Sequence, residues 1–183
     1  IRVRTGIQVK VLSNSEQRFI RYKAIAIKAS EFQKTIQKGT AIADVGFGSM
    51  QASVFDKDSL ISTQNLPLGV LKLRQILTHA KLSAQAEQSL VMELIDNELL
   101  TFRKMYLKDR EIKHLIAIGD PILTMYYKLN GITRSDRLTA EKFNSFFEWM
   151  RTKTRAQLED AFDVNGEYAS MMFPTVAIYK RML

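Results

Sequence analysis

Between Ala41 and Leu66 three runs of strand-forming residues are separated by two tight turn signals. AIADV (41–45) and SMQASVF (49–55) flank Gly46, Phe47 and Gly48, and Asp56, Lys57, Asp58 and Ser59 then lead into LISTQNL (60–66). Runs this short, joined by so few residues, have no room for a crossover, so they must lie side by side. The spacing predicts a three-stranded antiparallel meander with Phe47 at the tip of its first turn, ended by Pro67 and Gly69. A meander buries at least one face, and the rest of the chain has to supply the cover.

It does so mostly with helices. Val70, Leu73 and Leu77 mark one helical face; Val91, Ile95, Leu99 and Phe102 mark a longer one opened by Ser83. HLIAIG (114–119) reads as a short buried strand closed by Gly119 and Pro121, followed by a helix through Leu123, Tyr126 and Tyr127. Thr139 caps a helix whose Phe143, Phe146, Phe147 and Met150 recur at the spacing of a core stripe. A last helix runs from Glu167 towards Leu183, with Pro174 kinking or breaking it. Ahead of the meander, IQVKVL (7–12) alternates like a strand, a short helix runs from residue 15 to about Tyr22, and IAIKA (25–29) reads as another strand. Strands and helices mixed in this order describe one α/β domain over 1–183 with a mixed sheet.

Charge is unevenly placed. Of the net +8, residues 1–38 account for most: Arg2, Arg4, Lys10, Arg18, Arg21, Lys23, Lys28, Lys34 and Lys38 stand against Glu16 and Glu31. Such a surplus suits an anionic partner or an acidic neighbouring domain, and a basic module for nucleic acid or protein is one reading of it. The absence of cysteine excludes disulfides and Cys-ligated zinc and fits a cytoplasmic setting. Apolar runs fall far short of the roughly 20 residues that span a bilayer, so no membrane partner is expected. His79 and His114 are far apart and read as structural, and no Ser-His-Asp, Walker or zinc pattern is present. A first residue of Ile1 rather than Met suggests a fragment of a longer chain.

Particular motifs go further. ADVGFGSMQASVFDKDSLISTQNLPLGVLKL (43–73) resembles the phosphate-binding hairpin of the exopolyphosphatase and guanosine pentaphosphate phosphohydrolase (Ppx/GppA) family, which reads Asp-x-Gly-Gly-Gly-Ser-x-Glu and, two strands later, Leu-Pro-Leu-Gly-x-x-Arg-Leu. Asp44, Gly46, Gly48, Ser49 and Leu66 to Gly69 match; Lys72 replaces the arginine. VKVLSNSEQRFIRY (9–22) resembles the family's Ile-Ser-Gly-x-Glu-Glu-Ala-Arg-Leu-x-Tyr segment through Ser13 and Tyr22. HLIAIGDPILTMYYKL (114–129) is similar to its strand, Gly-Gly-Thr turn and helix, and SMMFPTVAIYKRML (170–183) to its closing helix. The resemblance implies the second ribonuclease-H-like lobe of the actin-like ATPase fold, with a first lobe of the same protein outside this chain and a homodimer as an open arrangement. It also implies a polyphosphate or guanine-nucleotide ligand, magnesium, Asp44 as a metal ligand, and phosphate binding by Asp44, Gly46, Gly48, Ser49 and Gly119.

The departures gather where the family's chemistry would lie. Its two glutamate positions carry Gln17 and Gln51, which lack a titratable carboxyl and are poor magnesium ligands; a slip of one residue would bring Glu16 into the first place. Phe47 stands for the middle glycine, with a Cβ that is unfavourable wherever the turn requires φ > 0. Asp120 and Pro121 replace Gly-Thr in the later turn. The expectation is a catalytically degenerate phosphatase lobe retained for phosphate or nucleotide binding or for assembly, the alternative being an active phosphohydrolase once joined to its first lobe.

Overall fold

The computed structural model describes residues 2–28, 32–80, 82–130 and 138–183. Ile1, Ala29 and Glu31, which enter the readings above, lie outside the described residues. The sheet is built from β1 (Thr40–Val45), β2 (Met50–Asp56), β3 (Ser59–Leu66) and β4 (His114–Ile118), in the order β3-β2-β1-β4. β1, β2 and β3 pair antiparallel as consecutive neighbours, so the meander forms as expected with Phe47 at its first turn. The second turn holds Lys57 at φ 48° and Asp58 at φ 64°, a pair of left-handed residues whose twist matches that of the strands they join. β4 joins the other side of β1 in parallel, making the sheet mixed.

The helices are α1 (Arg2–Thr5), α2 (Asn14–Lys28), α3 (Phe32–Ile36), α4 (Val70–Ala80), α5 (Ala84–Phe102), α6 (Asp120–Asn130), α7 (Ala140–Arg151), α8 (Arg155–Phe162) and α9 (Gly166–Met182). α5 ends in a π-helical turn, Arg103–Leu107. Ser83 and Thr139 cap α5 and α7, each accepting from the backbone N–H three residues on. α9 is the centre of the core. It packs against α4, α5, α6, α7, α8 and β1, and Ala169, Met171, Met172 and all of 174–179 are buried. That packing carries the helix unbroken through Pro174: contacts on every side outweigh the roughly 3 kcal/mol that an interior proline costs.

Alternate residues of the strands face this core: Ala43 and Val45 from β1, Met50, Ala52 and Val54 from β2. The opposite face belongs to α2. Two of the strands expected in this N-terminal region do not form. IQVKVL is not a strand: among the described residues it has no ladder partner, and Ile7, Val9 and Val11 are 61, 63 and 90% exposed. Alternation fits a pleated surface but does not provide an edge to pair with. IAIKA is no strand either, since α2 runs on to Lys28. Arg18, Arg21 and Tyr22 form a stripe at helical spacing, and that stripe faces the sheet.

Candidate functional site

The β1–β2 hairpin and the β4–α6 turn lie at the same end of the sheet, past the C-terminal ends of the parallel strands β1 and β4, where open α/β sheets place their ligand crevices. Asp44 is the penultimate residue of β1 and pairs in register with Gln51 on one side and Ile118 on the other. Gly119 follows at φ 145°, a conformation open to glycine and strained for other residues, which lets β4 turn directly into α6 at Asp120.

Gly46, Phe47 and Gly48 form the hairpin tip, and the tip is docked on α4. Gly46 N–H donates to the Ser49 carbonyl at 3.0 Å, closing the turn. The N–H groups of Val70 and Leu71 donate to the carbonyls of Gly46 and Phe47 at 3.2 and 3.0 Å. These amides belong to the first turn of α4, whose orphan donors thus find partners in the hairpin. A Cβ on Gly69 would sit 2.2 Å from the Gly48 carbonyl carbon and 2.3 Å from the Phe47 oxygen, so the glycine of Leu-Pro-Leu-Gly permits backbone-to-backbone approach. Phe47 is not among the described residues with positive φ, nor are Gly46 and Gly48. The turn therefore asks nothing left-handed of Phe47, whose half-exposed ring carries no backbone strain.

Beneath α2 the structure brings Asp44 and Gln51 together. Arg21 forms an ion pair with the Asp44 carboxylate, and Arg18 Nε donates to Gln51 Oε1 at 3.3 Å. Tyr22 and Ser53 share a hydroxyl–hydroxyl hydrogen bond; Ser53 Oγ is also 2.8 Å from Thr63 Oγ1. The Tyr22 ring meets Phe55 edge-on. Arg18, Arg21, Tyr22, Ile42, Asp44, Gln51, Ser53 and Ile118 enclose a space of about 10 Å³, room for a single water. Asp44 has a 10% exposed side chain whereas Arg21 is 43% exposed, so the guanidinium connects an almost buried carboxylate to solvent.

The other two acid-site candidates are engaged elsewhere. Glu16 closes a capping box at the start of α2: Ser13 N–H donates to Glu16 Oε2 at 2.8 Å, and Glu16 N–H donates to Ser13 Oγ at 3.2 Å. It also pairs with Lys10 at 2.6 Å. The Lys10 hydrogen bond, then those from Ser13, hold its carboxyl below the usual carboxylate value. Gln17 donates through Nε2 to the Leu12 carbonyl at 3.3 Å, on the loop side of the helix. Sequence reasoning missed Arg18 and Arg21 as members of the site. Their signal was a polar stripe at i, i+3, i+4, which hydrophobic periodicity passes over.

Magnesium, which the family resemblance implies, does not fit these residues. It asks for several hard oxygen ligands, and among the described residues the pocket offers one carboxylate already neutralised by a guanidinium, one amide and hydroxyls. No cluster of three or more His, Cys, Asp or Glu that could hold a metal ion occurs among the described residues.

No protein-family model matches the chain, and no curated protein does. Solved structures do match it. A Ppx/GppA family member from Aquifex aeolicus superposes over 100% of this chain and 58% of its own, with a TM-score of 0.73 at 16% identity. The type II crystal structure of the Aquifex aeolicus Ppx/GppA phosphatase gives 0.74 at 17% identity over 100% and 60%. An exopolyphosphatase from Cytophaga hutchinsonii gives 0.76 at 14% identity over 100% and 60%. The chain has the fold of these structures, a mixed α/β fold of the actin-like ATPase type, and it spans 58–60% of their length. Among the described residues no helix is long and apolar enough to cross a membrane.

Proposed function

We propose that this chain is a Ppx/GppA-type lobe that binds an anionic phosphate compound and does not hydrolyse it. The observation that carries the reading is the state of Asp44. It is the carboxylate that faces the pocket, and Arg21 holds it. A phosphohydrolase needs a group to orient or deprotonate the attacking water and a cation to offset charge on the leaving phosphate. An ion-paired aspartate beside Gln51 supplies neither. Phosphate remains a fitting ligand because the pocket presents guanidinium, amide and hydroxyl donors. The shared fold with a named exopolyphosphatase supports the ligand class. The unmatched 40% or so of the comparison structures supports a cleft completed by a first lobe in a longer protein.

The test is direct. Incubated with magnesium and polyphosphate or guanosine pentaphosphate, the chain is expected to release no inorganic phosphate above a buffer blank. Release that disappears on Asp44→Ala would overturn the proposal, because it would make the paired carboxylate a working part of a hydrolase.

A further inference from the structure

α2 is attached to the sheet in an unusual way. No side chain in 15–27 is buried, and Phe19, Ile20 and Ile27 of that helix are 60, 51 and 83% exposed. The side chains it turns inward are instead two arginines and a tyrosine, placed on Asp44, Gln51 and Ser53. A helix that faces its cationic side chains inward has put two fixed positive charges at the ligand end of the sheet. Asp44 accounts for one of them. Gln51 satisfies Arg18 through Nε alone, and among the described residues the Nη groups of Arg18 have no acceptor.

Resting on the phosphate-binding reading above, we infer that Arg21 and Arg18 form a metal-independent oxyanion site at the mouth of this pocket. Arg21 bridges the Asp44 carboxylate on its inner side and a phosphate oxygen on its outer side, the place a divalent cation takes where carboxylates are unpaired. Three features make this work. A guanidinium has five donors in a planar fork and cannot be deprotonated in the physiological range, so one ion pair leaves most of its donors available. Arg21 is 43% exposed, which puts those donors within reach of a ligand that the water-sized interior could not admit. Gln51 contributes no charge, and its amide fixes Arg18 without neutralising it. Among the described residues the site therefore carries a net positive charge, where a carboxylate at position 51 would have cancelled it. The ligand class is a phosphate or short phosphoanhydride chain, taken without magnesium.

The experiment is calorimetric titration of the chain with inorganic tripolyphosphate, in EDTA and in magnesium at one fixed salt concentration, paired with Mn²⁺ titration by electron paramagnetic resonance. Binding should occur in EDTA and not strengthen with magnesium, and the parent chain should not bind Mn²⁺. Arg18→Ala should weaken the anion by about tenfold or more, as losing a charge-assisted contact does, with Arg18→Lys in between. Arg18 variants leave the Arg21–Asp44 pair intact, so a folding defect at Arg21 cannot hide the answer. Arg21→Ala should weaken the anion too. Binding seen only with magnesium would overturn this inference and leave the phosphate-binding reading standing. Binding in EDTA that neither arginine variant changes would place the anion elsewhere on the basic surface and overturn the site. No binding in either buffer would sink both.

Discussion

The two faces of one sheet obey different rules here. On β1 and β2, Ala43, Val45, Met50, Ala52 and Val54 point to α9 and its neighbours, and all are 5% exposed or less. The residues between them, Asp44, Gln51 and Ser53, point to α2, where ion pair and hydrogen bonds do the holding. On the first face stability comes from area removed from water, and near-solid packing makes each side chain costly to change. On the second, attachment comes from polar contacts that water can replace, which contribute little net free energy and leave donors available to a ligand. A binding surface needs that second kind of contact.

The difference can be broken by truncation on each side. Ile178→Ala, in the fully buried stretch of α9, should destabilise the chain by about 2–5 kcal/mol, the range for an aliphatic core side chain reduced to alanine. Arg21→Ala should cost less, about 1–2 kcal/mol by the same urea unfolding measurement. Its guanidinium is 43% exposed, so solvent screens the pair, while Asp44, 10% exposed, is left short of a partner. Equal effects from both would mean that α2 is as structural as α9 and that the two faces do not differ in kind.

An intermediate effect belongs to the seam between the faces. Gly69→Ala places a methyl carbon 2.2 Å from the Gly48 carbonyl carbon, and both sides of that contact are backbone, which cannot rotate aside. The expected cost is about 1–3 kcal/mol, typical of an overpacked site. Displacement of the hairpin tip should accompany it, visible as faster amide exchange at Val70 and Leu71, whose N–H groups bond the tip. Loss of stability without that local exchange would mean α4, rather than the hairpin, yields.

The same division explains what the sequence made legible. The meander could be read because turn chemistry is local: Gly46 to Gly48 and Asp56 to Ser59 dictate their turns whatever packs around them. The α5 and α7 stripes could be read because they face the apolar side, where burial and hydrophobic periodicity agree. The extent of α2 is hard to read because its inward stripe is Arg18, Arg21 and Tyr22, a pattern that looks like a solvated face. α8 went unnoticed although Thr154 and Gln157 form a capping box, a signal that spacing alone could have found. Asp44 and Gln51 were picked out by motif, but their partners lie 23 and 33 residues upstream. Only the fold brings such residues together. Pro174 was the reverse case: local chemistry said break, and tertiary packing on five helices and a strand overrode it.

The smallest expected effect sits where α2 begins, and it separates a cap from an acid in waiting. The Glu16 side chain is 44% exposed, and its carboxyl is held below the ordinary value first by the Lys10 hydrogen bond and then by Ser13. A group whose folded pKa is depressed lends stability above its unfolded pKa and loses it as pH falls through the folded one. The capping box should therefore hold unchanged from neutral pH down to the usual carboxylate range and release only below it. The readout is amide exchange at Glu16 and Gln17, whose N–H groups bond Ser13 Oγ and the Ser13 carbonyl at 3.2 and 3.0 Å. In Glu16→Gln the ion pair with Lys10 is gone, so the N-terminal turn should exchange faster and show no such acid transition. Because Arg21 and Tyr22 lie more than a turn further along, fraying at Glu16 should leave their contacts with Asp44 and Ser53 in place. Should Glu16→Gln at neutral pH release the Arg21–Asp44 contact together with the cap, α2 would be a single cooperative unit. The polar face would then be coupled to its N-terminus rather than held side chain by side chain.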